Sequence, residues 1–230
     1  EEHSDELRNK LSKQCRRYSD PLFLQDYFLR SGHDKTTHNG TGTFVKYDGH
    51  YYVCTCQQVA ESLGNKDITG ADTKHPTLAL IVGRAVINLS HITEHGLQSA
   101  LRSPSLDDGH KADICIGNID SCWEFLQKNK SKEAIDLDQW REPPWLDFQM
   151  CAAAGFADEH KVVQDNQVST SMPLVVAELQ SRLLSTTREF TLSSSMNEPH
   201  GYYFSGMSGG PIVDRDLRLE SVARDRAPAG

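Results

Sequence analysis

Residues 40 to 56, GTGTFVKYDGHYYVCTC, place two runs rich in β-branched and aromatic residues on either side of an Asp-Gly pair. Asp and Gly accept the positive φ values of a two-residue hairpin turn, so the stretch predicts an antiparallel hairpin. Further short strand-like runs follow at TLALIVG, RAVINLS, ADICIGNI, FQMCAAAG, STSMPLVVAEL, TTREFTLSS, GGPIVD and RLESVA. Gly, Asp, Asn and Pro separate them. That pattern predicts an all-β barrel or sandwich rather than alternating β and α units.

Two segments break the pattern. Residues 5 to 30 carry apolar and aromatic residues at mixed three-and-four spacing around a Ser-Asp-Pro break, which predicts one or two helices. Residues 1–39 are therefore expected to form an N-terminal helical appendage. Residues 121–147 have few β signals and two adjacent prolines, and are expected to connect a β half at 40–120 to another at 148–230. A chain of 230 residues suffices for one large all-β domain or two small ones.

Composition narrows the partners. A net charge of −8 argues against a general attraction to nucleic acid or to anionic membranes. Nothing approaches the roughly 18 to 20 apolar residues that span a bilayer. The chain does not begin with Met, so a piece of a longer protein is expected. The six cysteines lack both a disulfide-framework spacing and paired CxxC motifs, which favours a reduced, cytoplasmic setting over a secreted one. Three matches to the N-x-[ST] pattern, at Asn39, Asn88 and Asn129, point the other way but arise readily by chance. Cys54 and Cys56 would share one face of a strand and are expected to pack rather than react. The histidines are scattered, His33 and His38 have no further ligands nearby, and neither a metal nor a cofactor is expected.

The densest chemical signal is FSGMSGGPIVD, residues 204 to 214. Two glycines after Ser208 and one two residues before it make a tight turn that exposes a hydroxyl beside free backbone N–H groups. Acyl transfer needs such a turn, because a developing oxyanion must be held there. GMSGGP resembles the nucleophile motif of the trypsin-like, chymotrypsin-fold serine peptidases. GTGTFVKYDGHYYVCTCQQV is similar to the bacterial, HtrA-like form of the first hairpin, which ends in T-A-A-H-V, and KADICIGNI resembles the segment that supplies the aspartate. The chain order, first the histidine position, then Asp113, then Ser208, is that of the family.

The resemblance implies two six-stranded antiparallel barrels with the site in the cleft between them, and an endopeptidase acting on a protein or peptide. It assigns the nucleophile to Ser208, the residue orienting the base to Asp113, and the oxyanion hole to the N–H groups of Ser208 and Gly206. Asp107 and Asp108 are a weaker alternative to Asp113. Tyr202 and Tyr203 fall near the floor of the specificity pocket and argue against a preference for Lys or Arg. After GGPIVD only LRLESVA reads as a strand, so the second barrel is expected to be incomplete unless residues beyond 230 close it.

One departure is chemical. Aligning TCQQV on T-A-A-H-V puts Gln58 where the family has its histidine, and an amide cannot accept and return a proton near neutral pH. His50 lies eight residues upstream, roughly 20 Å or more away along an extended strand. His110 precedes Asp113 and would be carried away from the cleft. Three readings follow: a serine-peptidase domain that has lost its general base, a natural pseudopeptidase that binds peptides or scaffolds partners through its N-terminal helices, and an unrelated β-barrel.

Overall fold

The computed structural model describes residues 2–24, 40–61, 78–82, 85–93, 96–99, 101–104, 113–140, 150–156, 161–164, 167–170, 174–179, 192–193, 208–214 and 219–222. The chain is all-β with few helices, and among the described residues its sheets are antiparallel apart from one short parallel pairing. The expected hairpin joins β2 (Gly40–Tyr47) to β3 (His50–Cys56), with Tyr47 opposite His50. Asp48 at φ 48° and Gly49 at φ 76° both occupy the left-handed region, as a two-residue turn of this hand requires.

The N-terminal segment differs from expectation. Helix α1 (Glu2–Tyr18) is present, but Ser19–Leu24 forms a strand, β1, in the place where a helix was expected. Pro21 disfavours helical geometry in the residue before it. Leu22 and Phe23 are both fully buried, so the strand shows none of the alternation that distinguishes a strand from a buried helix. β1 pairs with β2, Leu22 lying opposite Gly40, and with β4 (Leu78–Val82), Leu22 lying opposite Leu80.

The first sheet runs β5-β4-β1-β2-β3-β8, where β5 is Ala85–Asn88 and β8 is Ile114–Asn118; β9 (Ile135–Asp136) adds to β2 in parallel. A separate hairpin joins β6 (Ser90–Thr93) to β7 (Gly96–Ser99). The second sheet runs β14-β13-β10-β15-β16, from Leu192–Ser193, Leu174–Leu179, Met150–Ala154, Pro211–Asp214 and Leu219–Val222 respectively. β11 (Lys161–Gln164) and β12 (Gln167–Thr170) form another hairpin. The two larger sheets hold seven and five of the described strands, and each of the two hairpins forms a small sheet of its own.

Two short helices cover the first sheet. α2 (Gln57–Glu61) follows β3 directly and buries Val59 and Ala60. α3 (Asp120–Lys130) lies in the expected connector and buries Trp123 and Leu126 in the main core with Phe44 and Val53. The Trp123 ring stacks on Tyr51 at 4.4 Å between centroids and meets Phe44 edge-on at 5.8 Å. α1 joins a separate cluster: Leu11 and Cys15, one turn apart, pack with Ala154, Phe156 and Val213. The first 24 residues thus reach both sheets.

A buried ion pair fastens this segment. The Lys132 ammonium donates to Asp20 Oδ1 at 2.9 Å and to the carbonyls of Arg16 at 2.7 Å and Ser19 at 3.0 Å. Its three donors are thereby matched to three acceptors. Asp20 Oδ2 is buried without a hydrogen-bond partner among the described residues. Burial pushes the Asp20 carboxyl up to about 7, against the downward pull of Lys132.

Candidate active site

Ser208 and Gly209 form the turn that launches β15, and three threonines cradle its backbone. The Thr41 N–H donates to the Ser208 carbonyl at 2.9 Å, and the Thr43 hydroxyl donates to the Gly209 carbonyl at 2.7 Å. The Thr55 hydroxyl donates to the Thr41 carbonyl at 2.9 Å. All three side chains are buried on β2 and β3, so the first sheet sets the position of a turn that belongs to the second. The sequence reading missed these residues. Their signal was the Thr-x-Thr alternation of Thr41 and Thr43, which puts two hydroxyls on one face of a strand.

Gly209 sits at φ 89°, and a Cβ added there would strike the Thr41 carbonyl and the Thr55 hydroxyl. Gly209→Ala is therefore expected to cost about 1–3 kcal/mol from backbone strain alone, before the collision is counted. Urea denaturation checks this, and a loss under 0.5 kcal/mol would mean that the turn is not held as described.

Gln58 reaches the same place from the other side. Gln58 is an exposed residue of α2, and its Nε2 donates to Ser208 Oγ in a long 3.5 Å contact. Ser208 itself is only 2% exposed. Asp113 precedes β8, and its carbonyl accepts the Gln57 N–H at 3.3 Å, which continues the register from Cys56 opposite Ile114. Of the residues singled out in the sequence, the fold therefore brings Gln58 and Ser208 into contact and joins the Asp113 backbone to the neighbour of Gln58. Gly206, Tyr202, Tyr203 and His110 lie outside the described residues, as do Asp107 and Asp108.

His50 stands at the far end of β3 with different partners. Its Nδ1 lies 2.7 Å from Asp120 Oδ2, and the resulting hydrogen bond raises the pKa of the imidazole. The Asp120 carboxyl is held down to about 2, first by the Asn118 side chain, then by the Tyr51 N–H and by His50. Cys54 and Cys56 are buried, and burial pushes the Cys54 thiol up to about 12, which leaves no thiolate for chemistry near neutral pH. No group of three or more His, Cys, Asp or Glu side chains converges among the described residues. None of the described helices is long and apolar enough to cross a membrane.

The arrangement supplies a hydroxyl in a tight turn with an amide at its side. The amide can donate to or accept from the hydroxyl, but it cannot remove its proton.

Comparison with solved structures finds serine proteases. The chain is similar to the Rv3671c protease of M. tuberculosis H37Rv in its inactive form, at 11% identity and a TM-score of 0.47, over 94% of this chain and 80% of that one. It is similar to the MamO protease domain of Magnetospirillum magneticum at 14% identity and a TM-score of 0.39, over 88% of this chain and 82% of that one. It is also similar to the thermostable serine protease AL20 from an extremophilic microorganism, at 12% identity and a TM-score of 0.40, over 88% and 82%. No protein-family model and no curated protein matches the chain.

Proposed function

We propose that this chain is a trypsin-like serine endopeptidase domain in a catalytically impaired form. In this reading Ser208 is the nucleophile, Asp113 the residue that would orient a base, and the N–H groups of Ser208 and Gly206 the oxyanion hole. Gln58 occupies the general-base position without the means to serve as one. The observation that carries the reading is the contact between Gln58 Nε2 and Ser208 Oγ, made across 150 positions of sequence. A protein or peptide is the substrate class, and Tyr202 with Tyr203 disfavours Lys or Arg in the primary pocket.

The deep burial of Ser208 favours a second reading, in which the domain grips a peptide strand without cutting it. Hydrolysis of a casein or peptide library by Gln58→His, with Ser208→Ala as control, separates the two. Ser208-dependent cleavage supports the peptidase reading. A folded Gln58→His protein that binds peptide strands but stays inert supports the binding module.

A further inference from the structure

Thr41 stands where four segments meet. In the β1–β2 ladder it lies opposite Pro21. Its N–H donates to the Ser208 carbonyl at 2.9 Å, and its carbonyl accepts the Thr55 hydroxyl at 2.9 Å. Its own hydroxyl accepts the Phe156 N–H at 2.9 Å. Phe156 in turn packs with Val213 and with Leu11 and Cys15 of α1. One wholly buried side chain and its peptide groups therefore join the N-terminal segment, both sheets and the turn that carries Ser208.

We propose that Thr41 is a positioning residue, which holds the Ser208 turn in place against Gln58 and transmits to that turn how α1 and β1 are docked. The kinetic side of the proposal rests on reading Ser208 as a nucleophile. Removal of the hydroxyl takes away the acceptor 2.9 Å from the buried Phe156 N–H, and the loss of that bond lets the backbone shift or water enter. Thr41 carries any such shift directly to the Ser208 carbonyl. Displacement of a nucleophile by about 1 Å is enough to cost on the order of a hundredfold in rate.

Thr41→Val keeps the shape and both peptide groups and deletes only the hydroxyl; Thr41→Ser returns it. In a Gln58→His background, Thr41→Val is expected to lower kcat by roughly ten- to a hundredfold with KM within about twofold, and Thr41→Ser to restore kcat. In the native Gln58 chain, hydrogen exchange at the position-41 amide, bonded to the Ser208 carbonyl, is expected to quicken roughly tenfold in Thr41→Val and not in Thr41→Ser. Thr41→Cys, with a weak sulfur acceptor, gives an intermediate effect and serves if Thr41→Val does not fold. The exchange arm needs no hydrolysis: if Gln58→His is inert while exchange quickens, the peptidase reading fails and the holding role stands. Unchanged exchange overturns the proposal, and so does faster exchange with an unchanged kcat in an active Gln58→His chain.

Discussion

Gln58→His is expected to raise Ser208-dependent peptide hydrolysis by several orders of magnitude. Removal of the histidine from a serine-histidine-aspartate site costs on the order of a millionfold in turnover, which sets the scale of what its return can recover. The geometry favours recovery, because Nε2 of histidine and Nε2 of glutamine are separated from Cα by the same number of bonds. An imidazole at position 58 can thus bring its Nε2 close to where the amide now meets Ser208 Oγ, 3.5 Å away. The carbonyl of Asp113 is bonded to the adjacent Gln57 N–H, so the Asp113 position is already tied to the segment that would carry the ring. A general base acts only when unprotonated. The rate should therefore rise with pH through about 6 to 7, the ordinary range of an imidazole, and level off above it. Initial rates on a peptide library between pH 5 and 9 measure this. A pH-independent rate, or activity that survives Ser208→Ala, would sink the assignment.

Lys132→Ala is expected to destabilise the fold by about 3–5 kcal/mol, because it leaves the Asp20 carboxylate buried with no cation beside it. Asp20 shapes how that loss varies with pH. Its carboxyl is raised to about 7 in the folded chain, above its ordinary 3.8, so between those values the folded state holds a proton that the unfolded chain has released. The stability this contributes is complete below about pH 4 and is lost as pH rises through 7. Without Lys132 the carboxyl is driven higher still; at pH 5 it is neutral with or without the lysine, whereas at pH 8 the variant must take up a proton or bury a lone charge. The cost of Lys132→Ala should accordingly be smaller at pH 5 than at pH 8. Urea denaturation at both values, followed by the fluorescence of Trp123 stacked on Tyr51, gives the comparison. The double replacement Asp20→Leu with Lys132→Met should recover much of the loss and flatten the pH dependence. A loss below 1 kcal/mol, or an equal loss at both pH values, would show that the pair does not carry this weight. The nearby Arg17–Glu133 pair, about half exposed, adds little.

The parts legible in the sequence were those coded locally. Asp48 and Gly49 announced the hairpin because few other residues accept their φ values, and the β-branched runs announced the strands they became. Gln58 and Ser208 were legible as partners only through motifs lying far apart in the chain. β1 was not legible, because a strand covered on both faces by Leu22 and Phe23 has no period to read. β9, two residues held in parallel against Val45 and Lys46, was too short to register. The threonine cradle escaped for a different reason: Thr41, Thr43 and Thr55 look like ordinary strand residues until a turn from the far end of the chain is laid across them.

The docking of α1 on Ala154, Phe156 and Val213 bears on the order in which the protein can be made. A ribosome delivers Leu11 and Cys15 long before the residues that will cover them, and β1 likewise precedes its neighbour β4. The helix must wait, its apolar side open to water, until β10 and β15 have emerged. Contacts of such sequence separation form slowly, and the interval exposes the nascent chain to aggregation. Helix α1 thus completes its packing only on strands made well after itself, on a cluster that includes Val213 of the strand launched by the Ser208 turn.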